Sequence, residues 1–131
     1  YVAAACVVGI LDGAWLTLTG PSLYRPALGA MLAHDFRPAP AALFYLLYLA
    51  GLCWLAVRPA LASGGLRRAA SDGALLGLVA YATYDLTNQA TLVVWSSRIT
   101  VIDIAWGMFL SAAGASAGYL AAERFSRRTP A

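Results

Sequence analysis

Charged side chains are scarce in this sequence, and lysine is missing altogether. Only 11% of the 131 residues are charged and 61% are hydrophobic, whereas a soluble domain carries about 25% charged residues. Such a chain cannot cover its surface with polar groups, which excludes water as the solvent for most of it. The length suits a single domain over residues 1–131.

Histidine and cysteine are also rare, so the usual sequence motifs for metal binding and thiol redox chemistry are absent. His34 is the only histidine and stands beside Asp35, while Cys6 and Cys53 lie singly without C-x-x-C spacing. Phosphate-binding, dinucleotide-binding and zinc-protease patterns are absent as well. The sequence therefore predicts no metal site, names no cofactor and leaves open whether the protein is an enzyme.

Long hydrophobic runs dominate what is present. Because the runs are continuous rather than alternating, they predict helices and not a barrel. Each is long enough to cross a hydrocarbon core about 30 Å thick. We predict an all-α integral membrane four-helix bundle with both termini on one side and helices at about 2–19, 41–61, 73–95 and 99–122.

Arginine placement predicts the orientation of this bundle. Six arginines fall on the side of the second loop and the C-terminus, and three fall on the other side. Arginine-rich ends face the cytoplasm, so we expect both termini there. The net charge of +3 comes from nine arginines against six acids, and because most of the arginines lie beside apolar runs, no nucleic-acid partner is expected.

Two further features concern packing. Residues 23–33 are apolar enough for a short interfacial helix, and the pair Gly20-Pro21 predicts the end of the first helix. Small residues at G-x-x-x-G spacing allow membrane helices to approach closely. The pairs with this spacing are Gly9 and Gly13, Gly73 and Gly77, and Gly114 and Gly118.

Three aspartates, Asp12, Asp85 and Asp103, lie within the hydrophobic runs. An ionised side chain at the centre of a membrane helix costs about 2.5–3.5 kcal/mol on insertion scales. Asp85 shares one helix face with tyrosines and Asn88, since steps of three and four residues return to the same side. That face is expected to point into the bundle, because lipid offers no hydrogen-bond partner.

All four helices contribute polar or aromatic groups to one layer in the half of the membrane away from the cytoplasm. Two helices carry the form Asp-x-Ala-Trp, which we attribute to convergence rather than duplication. The candidate ligand-binding residues are Asp12, Trp15, Tyr45, Tyr48, Tyr81, Tyr84, Asp85, Asn88, Asp103 and Trp106. Arg25 and Arg98 are candidate charge partners of the acids. Alternatively, the acids serve only to hold the bundle together.

The chain resembles the bacterial membrane proteins catalogued as a domain of unknown function, family 2177. The resemblance covers nearly the whole sequence. It rests on Leu11 to Trp15, Tyr24-Arg25, Phe44 to Tyr48, Tyr81 to Asn88 and Asp103 to Gly107. It implies a four-helix protein of the bacterial inner membrane with these polar positions as its signature, and it implies no substrate or reaction.

Three functions fit these observations. The first is an intramembrane pocket that binds a small amphiphile, lipid or cationic molecule, where a buried carboxylate would do acid-base work. The second is a proton-coupled transporter that acts as a homodimer, and the third is a non-catalytic subunit of a larger membrane complex. The particle mass in detergent separates them, because a stable monomer disfavours the transporter and foreign subunits favour the complex.

Overall fold

The computed structural model describes residues 1–29, 35 and 37–128. These residues form four helices, α1 (Val2–Leu28), α2 (Pro38–Ala62), α3 (Gly65–Thr91) and α4 (Ser97–Arg128), and contain no strand. The predicted all-α class is confirmed. His34 and part of the predicted interfacial helix, residues 30–33, lie outside the described residues.

The first helix does not end at Gly20-Pro21. Regular α-helix stops at Thr19, as expected, but one widened π-helical turn follows and α1 continues to Leu28. Residues 23–28 therefore extend α1 instead of starting a separate interfacial helix. In the widened turn the Arg25 N–H donates to the Gly20 carbonyl, five residues back.

Both widened turns stand directly before an Arg-Pro-Ala-Leu sequence. In α2 the Arg58 N–H donates to the Cys53 carbonyl, and Pro59 follows, as Pro26 follows Arg25 in α1. A proline ring inside a helix collides with the carbonyl four residues before it. A π-helical turn displaces that carbonyl, so each helix passes its proline without ending.

The bounds of α3 and α4 also differ from the predicted ones. Gly64 and Gly65 adopt positive φ angles of 139° and 68°, which turn the chain so sharply that α3 starts at Gly65 rather than residue 73. At the far end α4 continues to Arg128, and a Glu123 to Arg127 ion pair of 2.9 Å lies along its last turns. Charged side chains thus extend α4 past its apolar run.

Three of the described helices, α1, α2 and α4, are long and apolar enough to cross a membrane. The remaining one, α3, has 27 residues, about 40 Å at 1.5 Å per residue, but includes Arg67, Arg68 and Asp72 near its start and a polar face near its end. It packs along the length of α4.

The contact between α3 and α4 depends on glycine. A methyl group added at Gly73 would lie 2.7 Å from the Ser111 carbonyl oxygen and 2.8 Å from the Ala115 methyl. At Gly77 it would overlap the Gly107 carbonyl. The two backbones therefore touch, which confirms the contact predicted for this pair. Beyond the glycines, a chain of hydrogen bonds from Trp95 through Thr100 and Gln89 to Ser97 closes the hairpin.

Helix α1 packs antiparallel against α4. Gly114 lies against the Val8 side chain, and a methyl at Gly118 would be 3.5 Å from the Ala4 methyl, so the third predicted pair is also in contact. At Gly9 and Gly13 a methyl would meet no atom of another described helix within 4 Å. That prediction is wrong for this chain by itself, because both glycines lie on the outer face of α1.

Helix α2 meets the bundle mainly through its second half, residues 53–62. Its first half diverges from α3. The hydrophobic core lies where α1, α2 and α4 converge, and its buried members are Ala4, Val8, Leu49, Leu52, Ala56, Val57, Leu110 and Ala115. Divergence of the first half of α2 opens the bundle sideways, toward the surface that faces lipid.

We expect Gly77→Ala to lower the melting temperature in detergent, because the added methyl must push two backbones apart, at a typical cost of about 1–3 kcal/mol. Gly13→Ala makes the same chemical change on the outer face and is the matched control, with an expected effect within about 0.5 kcal/mol. Equal melting temperatures for the two variants would contradict the proposed backbone contact.

The predicted orientation can be tested at two exposed serines at opposite ends of the bundle, Ser97 at the start of α4 and Ser63 between α2 and α3. The background is a variant with Cys6→Ala and Cys53→Ala. We expect Ser97→Cys to react with an impermeant maleimide on intact cells, and Ser63→Cys to react only after the membrane is opened. The reverse pattern would place both termini outside.

Candidate functional site

Asp85 on α3 is the most unusual side chain in the bundle. It is fully buried, with an exposed fraction of 0%. Neither of its carboxylate oxygens has a hydrogen-bond partner among the described residues. Burying a polar group without a partner is costly. A membrane protein that keeps an acid in this state has a group able to gain much from a proton or from a ligand.

Asp12 on α1 is fully partnered by contrast. The Tyr45 hydroxyl of α2 donates to its Oδ2, and the Trp106 indole of α4 donates to its Oδ1 at 3.2 Å. Three helices therefore meet at one carboxylate, which is 8% exposed. These bonds satisfy the acid and join α1, α2 and α4.

Asp103 on α4 is 6% exposed and accepts a hydrogen bond from the Tyr24 hydroxyl. Tyr24 lies in the widened turn of α1, and its hydroxyl in turn accepts from the Trp15 indole at 3.0 Å. The extension of α1 past Pro21 is thus what brings a donor to Asp103.

The two Asp-x-Ala-Trp motifs contact each other. The rings of Trp15 and Trp106 stack with centroids 4.4 Å apart and planes 8° apart. Trp106 donates directly to Asp12, and Trp15 reaches Asp103 through Tyr24. Because α1 and α4 run antiparallel, equal spacing on both lets each tryptophan reach toward the other helix's acid. These contacts explain why both helices carry the Asp-x-Ala-Trp motif, and no duplication of the sequence is needed to explain it.

The three acids line one cavity of about 210 Å³ in the bundle. The described residues that line it are Asp12, Trp15, Leu16, Tyr24, Tyr81, Tyr84, Asp85, Asp103 and Trp106. This set includes seven of the ten candidate residues and no basic side chain from the described part of the chain. The cavity is therefore acidic, aromatic and rich in hydroxyl groups.

The remaining candidates lie elsewhere. Tyr45 bonds Asp12, and Tyr48 shares a hydrogen bond with Ser111 of α4. Asn88 is half-buried, is not part of the cavity lining and makes no side-chain hydrogen bond with the described residues. None of these three residues lines the cavity.

Arg25 and Arg98 do not pair with the acids. Both are exposed, and the ion pairs between described residues are Arg68 with Asp72 and Arg127 with Glu123. Tyrosine hydroxyls and an indole take the place predicted for arginine. The physical reason is that arginine at the helix ends keeps its hydration, whereas a hydroxyl enters the interior at far lower cost.

Two residues that matter were not among the sequence candidates, Tyr24 and Ser111. Tyr24 follows a Gly-Pro pair that reads as a helix end, so its position on α1 was hidden. Ser111 bonds Tyr48 and also donates to the Gly107 carbonyl at 2.5 Å. Ser111 could have been recognised from its position in the sequence, because it lies one turn beyond Gly107 on the face of α4 that carries Asp103.

This architecture, a bundle of apolar helices around buried carboxylates, defines an all-α integral membrane protein. The family model described as "Predicted membrane protein (DUF2177)" matches residues 1–120. The chain therefore belongs to the DUF2177 family, as the resemblance indicated. Neither the curated proteins nor the solved structures contain a match to it.

We expect Tyr24→Phe and Tyr45→Phe each to lower the melting temperature, because each leaves a buried carboxylate oxygen without its donor. Interhelical hydrogen bonds in membranes average about 0.6 kcal/mol and reach about 1.7. Tyr119→Phe is the control, since the Tyr119 hydroxyl makes no hydrogen bond within the described residues. A larger loss in the control than in the two variants would contradict the assigned bonds.

Proposed function

We propose that this protein binds a small cationic ligand in the intramembrane cavity, with Asp85 as the group that holds it. The observation that supports this most directly is the unpartnered, fully buried carboxylate of Asp85. Buried acids within membrane helices mark ligand, ion or proton sites. We further propose that the protein lies in a bacterial inner membrane with this cavity in the outer half.

The three acids differ in their hydrogen bonds, and this difference supports a binding role for Asp85 over a purely structural one. Asp12 and Asp103 accept hydrogen bonds from other helices or from a distant turn, so they do what a structural acid would do. Asp85 bonds nothing in the described protein and holds no helices together. Its carboxylate is available to a ligand.

Charge complementarity selects the ligand class. The cavity contains three carboxyl groups, and the described residues supply no basic side chain to balance them. A protonated amine offers up to three donors and a positive charge, which matches two free carboxylate oxygens. Aromatic faces around the site add cation–π attraction from Trp15, Trp106 and Tyr81. A small ammonium group fits both features.

The test compares Asp85→Asn, Asp103→Asn and Asp72→Asn in lipid nanodiscs, with butylamine as the probe. Asp72 on the same helix forms an ion pair with Arg68 near the membrane edge and is the matched control. A ligand that binds only the folded state raises the melting temperature. We expect butylamine to do so for wild type and Asp72→Asn, but not for Asp85→Asn.

Without the probe, Asp85→Asn should be at least as stable as wild type, because it removes a buried charge and breaks no hydrogen bond. Asp103→Asn should lose some stability, since it weakens the bond from Tyr24. A destabilised Asp85→Asn protein that still responds to butylamine would show that Asp85 only holds the bundle together.

A further inference from the structure

A second cavity borders the acidic one. It has a volume of about 320 Å³ and is lined by Phe44 of α2 and by Ala80, Tyr81 and Tyr84 of α3. It occupies the gap left where the first half of α2 diverges from α3. We call this cavity the lateral groove. Phe44 and Tyr84 are 48% and 61% exposed on the surface that faces lipid, so the groove opens into the bilayer.

The lateral groove and the acidic cavity share two lining residues, Tyr81 and Tyr84. Asp85 follows Tyr84 directly and lies four residues from Tyr81, so it lies on the same stretch of α3. One aromatic wall thus separates the hydrocarbon surroundings from an unpartnered carboxylate. The described residues that line the groove include no charged side chain, whereas those that line its neighbour include three acids.

We propose that the lateral groove holds the apolar chain of a long-chain alkylamine whose ammonium group lies at Asp85. This inference rests on the proposed function and adds to it the class of ligand and the direction of entry. The amphiphile enters sideways from the bilayer between α2 and α3. Its apolar chain stays in apolar surroundings throughout. Its charged head has to pass only Tyr81 and Tyr84, which lie between the groove and the acidic cavity.

The two cavities have separate roles in binding such an amphiphile. Lipid chains are as apolar as the groove, so moving a chain from lipid into the groove gains little free energy. The head supplies the affinity through charge pairing with Asp85. The groove supplies selectivity by shape, since an amine with a chain reaches Asp85 only if the gap beside Ala80 stays open.

A comparable groove between α2 and α3 lacks a free carboxylate. Farther along the same two helices, Leu55, Asp72, Leu75, Leu76 and Val79 line a groove of about 260 Å³. Its acid, Asp72, is paired with Arg68 at 3.2 Å. An alkylamine head would find no free carboxylate there. The lateral groove, by contrast, borders the cavity that contains the unpartnered carboxylate of Asp85.

The test narrows the groove and compares two probes in nanodiscs of neutral lipid. Ala80→Phe places a bulky ring in the groove, and Ala90→Phe places the same ring at an exposed position on α3 as the control. We expect Ala80→Phe to weaken dodecylamine binding by about tenfold or more. Butylamine, which has almost no chain, should bind Ala80→Phe as it binds wild type.

A photoreactive dodecylamine with a diazirine near the chain end gives a second measurement that needs no groove variant. In wild type we expect crosslinks to peptides with Phe44 and Ala80, and we expect Asp85→Asn to lose them while Asp72→Asn keeps them. Crosslinks spread evenly over the lipid-facing helices in all variants would overturn the groove assignment.

The two proposals fail in different ways. If dodecylamine and butylamine both bind Ala80→Phe as tightly as wild type, the groove assignment is wrong and the Asp85 site stands. If butylamine binding does not depend on Asp85, the proposed function itself is wrong. If butylamine binding is also lost in Ala80→Phe while Ala90→Phe keeps it, the groove and the acidic cavity form a single site with no separate chain position, which also rejects the inference.

Discussion

The arrangement of this bundle depends on supplying hydrogen-bond donors to carboxylates that are buried between apolar helices. Asp12 and Asp103 each receive a tyrosine hydroxyl, and Asp12 also receives an indole from the antiparallel α4. Each bond in a membrane is modest in free energy. Their effect on geometry is larger, because a buried acid without its donor is costly, so α1, α2 and α4 must meet where the donors can reach.

Close contact between the helices allows these donors to come within hydrogen-bond distance of the carboxylates. Gly77 lets α3 touch the backbone of α4, and Gly107 lies directly against the Tyr81 ring, where a methyl group would overlap the ring. The same face of α4 carries Asp103 and Ser111. The polar layer therefore depends on packing with small residues, because glycine sets the distance between helices at which tyrosine and aspartate side chains meet.

The lack of a hydrogen-bond donor for Asp85 is the observation that supports the proposed ligand site. The fold provides donors for two acids and none, within the described residues, for the third. An acid retained under that penalty is typical of a site whose partner comes from outside the chain. The widened turns of α1 and α2 also support a site in this region, because π-helical turns are frequent at functional sites. The turn in α1 contains Tyr24, the hydrogen-bond donor to Asp103.

The sequence alone determined the membrane class, the four helices and the polar layer, because apolar runs and buried acids are strong signals that do not depend on packing. It also singled out seven of the residues that line the acidic cavity. It did not place Tyr24, because Gly20-Pro21 predicts a helix end and only the tertiary structure shows that α1 widens and continues. Nor did it separate the roles of three similar aspartates. Whether an acid has a donor depends on which side chains of other helices come within hydrogen-bond distance, and that distance is set by packing between segments far apart in the chain.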